Sequence, residues 1–335
     1  MKKKVSLVMI ICSILLALAV IYSLGKGTYE IGFVDMINVL LGNGTKMQNT
    51  AVFTLRLPRI AIALAVGMAF STAGCILQSA TKNDLADPGM IGINAGASLA
   101  VVMLISAGGT MYYEKIGDFT MFLMPFVAII GALLAMGTIY LLSMKKGVSP
   151  TRLILVGIGV NAGLTAFITL YQMNMAQGDY NRALVWISGS LWGSNWKYFY
   201  IVAPITLVLV FVAMYKSKVL DVLDLGDELA TGLGIAVEKE RKQLLFVATL
   251  LAAAATAVAG NISFLGLLGP HIAKRLVGPI HRRQIPVAAL ISMFIIIVAD
   301  VISRNLFSPI EIPAGIVISI IGVPYFIYLM LKTKE

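Results

Sequence analysis

The sequence predicts an all-α, polytopic membrane protein with about ten transmembrane helices in a single domain, residues 1–335. Three observations predict it: a mean hydropathy of +0.91, a composition with 59% hydrophobic against 13% charged residues, and repeated apolar runs. Those runs match the roughly 20 residues that a helix needs to cross a bilayer. They fall at 5–24, 60–80, 90–108, 120–144, 152–173, 199–215, 244–260, 262–278, 285–305 and 313–331.

The chain opens MKKK before its first apolar run, and Ala17-Leu18-Ala19 resembles a signal cleavage site. The run is longer than a signal peptide's apolar region, so an uncleaved first helix is expected. The two cysteines, Cys12 and Cys75, each lie inside a span and read as packing residues. With ten crossings and the amino terminus inside, 18 of the 26 Lys and Arg face the cytosol and 8 face outward. This bias orients the chain in the cell membrane with both termini cytoplasmic. It also explains the net charge of +10 without nucleic acid.

An outward segment, Gly25 to Arg59, closes on Leu55-Arg56-Leu57-Pro58-Arg59, where Pro58 suits the first turn of the second helix. Two arginines outside run against the bias. Snorkelling to the interface explains them as well as an anionic partner does. The second helix ends in a polar knot, Gln78 to Gly92, and Asp87-Pro88-Gly89 within it signals a turn. Backbone freed near a membrane is tolerated only where protein buries it or water lines it, so a position beside a pathway is also open. Gly92/Gly96 and Gly159/Gly163 are small-residue pairs within spans that suit close helix packing, and Gly189/Gly193 repeats the spacing in a loop.

The fourth to sixth spans bracket an inner loop, Lys145 to Arg152, and an outer loop, Asn174 to Lys197. Trp186, Trp192 and Trp196 in the outer loop read as interfacial anchors. Next comes the one long charged interval, Val219 to Gln243. Its Leu223, Leu225, Leu229 and Leu233 among acids suggest short amphipathic helices broken by Gly226, Gly232 and Gly234. It is either a solvated connector or a docking surface for a cytosolic partner. The alanine-rich seventh span leads into Ala259–His271, whose glycines and Pro270 predict a bent or re-entrant passage. In the ninth span, Asp300 and Arg304 stand one turn apart and suit an intrahelical ion pair. A carboxylate inside a membrane is also a functional candidate.

No G-x-x-x-x-G-K-[ST] loop occurs in the sequence, so any ATP is handled by another subunit. His271 and His281 lack partners in sequence for metal binding or catalysis, and no catalytic residue, metal site or bound cofactor is expected. No run of carboxylates suggests an ion relay.

Six motifs in order resemble the FecCD-type permeases, membrane subunits of ABC importers for ferric siderophores, haem and vitamin B12. They are LRLPR at 55–59, LADPGMIG at 85–92, GSLW at 189–192, LGDELATGLG at 225–234, GLLGPHIAKRL at 266–276, and the Asp300, Arg304 and Glu311-Ile-Pro-Ala-Gly315 series. The resemblance implies a vitamin B12 permease-like (type II ABC importer) fold. Its implied partners are a second permease subunit, identical or paralogous, two cytosolic ATPases that bind ATP and Mg²⁺, and an extracytoplasmic substrate-binding protein. Within the segment 219–243, it implies that Leu225, Gly226, Asp227, Glu228, Leu229, Ala230, Thr231, Gly232, Leu233 and Gly234 contact the ATPase. Arg56, Arg59 and Arg304 would dock the binding protein. Ser149, Pro150 and Thr151 would lie by a cytoplasmic gate, with Asn161 and Thr165 facing the pathway or bonding a neighbouring helix. Asp84, Asn261, Ser263 and Gly269 depart from the family pattern, which puts local backbone shape there in question.

The expected substrate is a ferric siderophore, with cobalamin or haem as alternatives within the importer class and an ion-coupled secondary transporter outside it. Reconstituted alone in vesicles with a proton or sodium gradient, the chain is expected to accumulate no radiolabelled iron chelate. Uptake under those conditions would establish the secondary transporter.

Overall fold

In hydrocarbon, every backbone N–H and C=O needs a partner within the protein, which leaves helices as the economical way for this chain to cross. The computed structural model describes residues 2–27, 29–144, 149–308 and 310–332, and no strand occurs among them. In chain order the helices are α1 (Lys2–Gly25), α2 (Phe33–Leu40), α3 (Lys46–Asn49), a π-helical stretch (Thr50–Arg56), α4 (Leu57–Thr81), α5 (Pro88–Ile91), α6 (Ile93–Ser143) and α7 (Pro150–Met173). There follow α8 (Gln177–Ile187), α9 (Trp196–Tyr215), α10 (Ser217–Asp224), α11 (Asp227–Gly232), α12 (Val237–Ala259), α13 (Leu265–Val277), α14 (His281–Asn305) and α15 (Ala314–Lys332).

Eight helical stretches among the described residues are long and apolar enough to cross a membrane. They cover eight of the ten expected spans. The other two, expected at 90–108 and 262–278, correspond to shorter pieces. Ile93–Ala107 is an apolar helical stretch of its own, although the helix continues to Ser143. A straight helix would hold Gly96 and Gly131 about 50 Å apart. Instead, a Cβ built on Gly96 would meet the Gly131 carbonyl at 2.5 Å, so the two parts of α6 lie side by side. The other short piece, α13, has 13 residues, about 20 Å of rise.

The passage before α13 is non-helical from Gly260 to Phe264, and both of those residues have positive φ, +69° and +66°. Asn94, fully buried, holds this break: its amide nitrogen donates to Asn261 Oδ1 at 3.0 Å, and its Oδ1 accepts from Thr256 at 3.2 Å. The polar side chain at 261 is thereby consumed by a polar side chain on α6. Gly189 and Gly260 let the outer loop and the break touch, since a Cβ on Gly260 would meet the Trp186 carbonyl at 1.9 Å. The three tryptophans expected to be interfacial anchors are held differently. Trp186 packs against the core, and the Trp196 indole N–H donates to the Phe53 carbonyl at 2.9 Å. Of the three, Trp192 is the exposed one.

At the centre stands α4, buried over most of its length and packed against α12, α13, α14 and α9. Its small residues allow this. A Cβ on Gly74 would come within 1.8 Å of the Gly266 carbonyl, and one on Gly67 within 2.8 Å of the Met293 backbone. On α13, a Cβ on Gly269 would fall 2.0 Å from Ser292 Oγ, so glycine there makes room for the serine of α14. The expected packing role of Gly159/Gly163 is not met within this chain, because a Cβ on either meets nothing within 4 Å. Positions 145–148 of the expected inner loop lie outside the described residues.

Gly74→Val is expected to cost about 3 kcal/mol by forcing α4 off α13, read as loss of monodisperse protein and a lower melting temperature in detergent. Gly163→Ala is expected to leave both measurements unchanged.

Candidate functional site

The charged interval forms a braced projection. Helix α10 ends at Asp224, and Gly226, with φ of +114°, reverses the chain into α11. On this turn, Leu225, Leu229 and Leu233 are 58%, 60% and 64% exposed. Leu229 and Leu233, four apart, share one side of the α11 turn, with Leu225 exposed just before Gly226, while Ala230 is buried. Glu228, Thr231, Gly232 and Gly234 are exposed around the stripe.

The brace is ionic. Asp227 accepts from Lys82 and Arg241, each at 2.7 Å, and Thr231 Oγ1 donates to the Asp227 carbonyl at 2.7 Å. Arg241 is itself 2% exposed and donates through Nε to the Ala80 carbonyl at 3.1 Å. Lys216 pairs with Glu240 across the base. Burial opposes ionisation of Asp227, but hydrogen bonds from Arg241 and Lys82 outweigh it and hold the carboxyl below the usual carboxylate range. Nearby, Asp84 pairs with Lys274 at 2.7 Å, which ties the polar knot to α13.

A second constellation adjoins it. Asp221 on α10 accepts from the backbone N–H of His281 at 2.8 Å and faces its Nδ1 at 2.7 Å, while His281 Nε2 lies 2.7 Å from Ser79 Oγ. Burial again opposes ionisation of Asp221, and the His281 bonds overcome it, leaving its carboxyl below the ordinary range.

At the opposite end, the three arginines converge, and all are turned inward. Arg56 sits at the end of the π-helical stretch and donates to the carbonyls of Leu24, Gly25 and Tyr29. Arg59 lies between Asp300 at 2.8 Å and Glu311 at 2.9 Å. Arg304 contacts Asp300 at 3.1 Å and donates to Ser23 Oγ at 2.8 Å. The expected intrahelical pair is therefore present, inside a larger cluster. Neither Arg56 nor Arg59 snorkels.

The gate and pathway candidates lie along α7. Ser149 precedes its first turn, Pro150 begins it, and Thr151 is exposed. Thr165 is also exposed, and its hydroxyl donates to the Asn161 carbonyl within the same helix at 2.8 Å. Asn161 abuts Gly92. A cavity of about 550 Å³ opens between the break and α15, lined by Ser188, Asn261, Ser263, Gly315 and Ser319.

Sequence reasoning missed Arg241, Lys82, Ser79 and Ser23. Arg241 read as one basic residue in a solvated run, and its partners lie 14 and 161 positions away. No local spacing signals such contacts.

This arrangement is that of a polytopic helical permease with a braced projection at one face and a buried ion cluster at the other. The chain belongs to the FecCD transport family, whose model matches residues 15–332. It is 47% identical over 333 residues to the iron(3+)-hydroxamate import system permease FhuG of Bacillus subtilis, covering 98% of this chain and 97% of that one. It is 35% identical to the Fe(3+) dicitrate permease FecD of Escherichia coli, over 83% and 84% of the two chains. A solved ABC transporter described as of metal-chelate type, in an inward-facing conformation, superposes with a TM-score of 0.83 at 27% identity, covering 97% of this chain and 98% of that one.

Because Asp227 is bound as a carboxylate, the brace is fully present above the unfolded-state pKa of about 3.9 and is lost as pH falls through its lower folded value. Proteolytic cleavage within 225–234 is expected to be flat from pH 8 to about pH 5. Arg241→Met is expected to raise the cleavage rate about tenfold at pH 7; an unchanged rate would contradict the brace.

Proposed function

We propose that this chain is the membrane subunit of an ABC importer that carries ferric siderophores, of the hydroxamate class, into the cytoplasm. ATP, bound with Mg²⁺, is hydrolysed on two separate cytosolic ATPases, and this chain holds no cofactor of its own. The observation that carries the reading is the exposed Leu225, Leu229 and Leu233 stripe on a turn fixed by buried Arg241. A row of leucines is costly to leave in water, and a rigid one suits insertion into a cleft on a partner. The likeness to the hydroxamate permease supports the substrate class.

In this reading, residues 225–234 face the cytosol, as do both termini. A second permease subunit, identical or paralogous, covers the open faces of α7 and α15. The translocation pathway runs between them, past Asn161 and Thr165, with Ser149, Pro150 and Thr151 near its inner gate. Both helices support this by exposing much of their surface in the single chain, among it Gly159 and Gly163 on α7 and Ile316 and Ile320 on α15.

An extracytoplasmic binding protein docks over Arg56, Arg59 and Arg304. In the single chain their guanidinium groups are already engaged by backbone carbonyls, Ser23, Asp300 and Glu311, so a partner carboxylate must compete for them. Glu311, 35% exposed, is the acceptor most easily displaced from Arg59. Such pairs steer encounter and orientation and weaken with salt.

Three measurements test this. Leu229→Glu is expected to abolish ATPase copurification and uptake while the chain still inserts; normal uptake would refute the coupling role. Glu311→Gln is expected to tighten binding-protein docking a few-fold at low salt and negligibly at high salt, and equal affinities at low salt would return the arginines to a purely structural role. The substrate class is decided by the cognate binding protein, expected to prefer ferric hydroxamates over ferric citrate, haem and cobalamin.

A further inference from the structure

Three neighbouring positions at the inner end of α4 are gripped from three directions. Ser79 is bonded by His281 of α14, the Ala80 carbonyl by Arg241 of α12, and Lys82 pairs with Asp227 of α11. The last two grips belong to the brace. The first is a separate device, and neither the packing of the core nor the exposed leucines call for it.

His281 is the first residue of α14 and is 1% exposed. The Asp221 carboxylate faces both its backbone N–H and its Nδ1. An acid from another element therefore caps α14 at the positive end of its dipole. Facing a carboxylate, Nδ1 carries a proton, and Nε2 is left to bond the Ser79 hydroxyl. The order Ser–His–Asp is that of an acyl-transfer triad. Here Ser79 is 3% exposed and is not among the residues lining the cavity of about 850 Å³ at this face, which Gln78 and Asp224 help to form. The serine is a link in a chain of bonds between helices, not a nucleophile.

We propose that Asp221, His281 and Ser79 form the joint through which displacement of the coupling segment is passed to α14 and α4. The proposal rests on the coupling role given above to residues 225–234. Asp221 lies on α10, which runs directly into Leu225. Its partner begins a 25-residue helix, about 37 Å long, that packs against α4, α13, α1 and α15. At the far end of that helix, Asp300 and Arg304 hold Arg59 and Ser23. One continuous helix, with Pro286 inside it, thus joins the segment proposed to meet the ATPase to the cluster over which the binding protein is proposed to dock. Short bonds to a carboxylate resist stretching better than apolar contacts, which slide. Asp221, His281 and Ser79 are accordingly positioning residues for transport.

The test uses the complete transporter in proteoliposomes, with ATP hydrolysed and ferric hydroxamate accumulated measured in the same preparation. His281→Asn keeps an amide near Nδ1 and loses the link to Ser79; His281→Gln keeps one near Nε2 and loses the link to Asp221. In each variant the ATP used per chelate moved is expected to rise about tenfold, the equivalent of one charge-assisted hydrogen bond, with the ATPase still bound at wild-type stoichiometry. An unchanged ratio overturns the joint, because a residue that only stabilises the fold would lower the amount of transporter and leave the ratio alone. If both histidine variants fail to assemble, Ser79→Ala decides in the same way. Failure of the underlying coupling role is distinguishable, since Leu229→Glu would then retain both ATPase and uptake.

Discussion

The pairing of Asp227 with Arg241 and Lys82 is the interaction on which the projection at residues 225–234 depends. A charged arginine at 2% exposure is expensive to desolvate and is stable only while its donors are satisfied. The Ala80 carbonyl and the Asp227 carboxylate satisfy it. In return, the arginine fixes where the turn at Gly226 points and therefore where three leucines stand. Without that fixed geometry, the stripe would be a mobile apolar loop with a large ordering cost on binding.

The same logic governs the membrane interior. At two interruptions of the helical ladder a side chain bonds the freed backbone: Asn94, whose amide nitrogen donates to the Ile262 carbonyl at 3.5 Å in the break before α13, and Asp87 at the start of α5, whose carboxylate accepts from the Gly89 N–H. Close backbone approach at Gly74, Gly266 and Gly260 locks these interruptions against α4 and the outer loop. The break before α13 borders the cavity beside α15 through Asn261 and Ser263, where irregular backbone is tolerated because protein buries it or water lines it.

Much of this was legible in the sequence. Apolar runs located the long spans, and glycines with Pro270 marked the passage that became the break and the short α13. Asp300 and Arg304, one turn apart, paired as their spacing indicates. Contacts between distant positions were not legible. Arg59 meets residues 241 and 252 positions away, and nothing near Arg56 or Arg59 distinguishes an arginine buried in a polar cluster from one reaching water. His281 likewise looked solitary because its partners, Asp221 and Ser79, belong to other helices. The open face at Gly159 and Gly163 shows the converse: the spacing predicts close packing, but within one chain nothing packs there.

The central claim is that residues 225–234 form a fixed, solvent-facing contact for the ATPase. It is tested most directly by placing a photoreactive side chain at position 229 in the complete transporter and identifying what it captures. The account predicts a covalent adduct with the ATPase subunit at 225, 229 and 233, and none at the buried position 230. Labelling of lipid or solvent alone at all three leucine positions would contradict it.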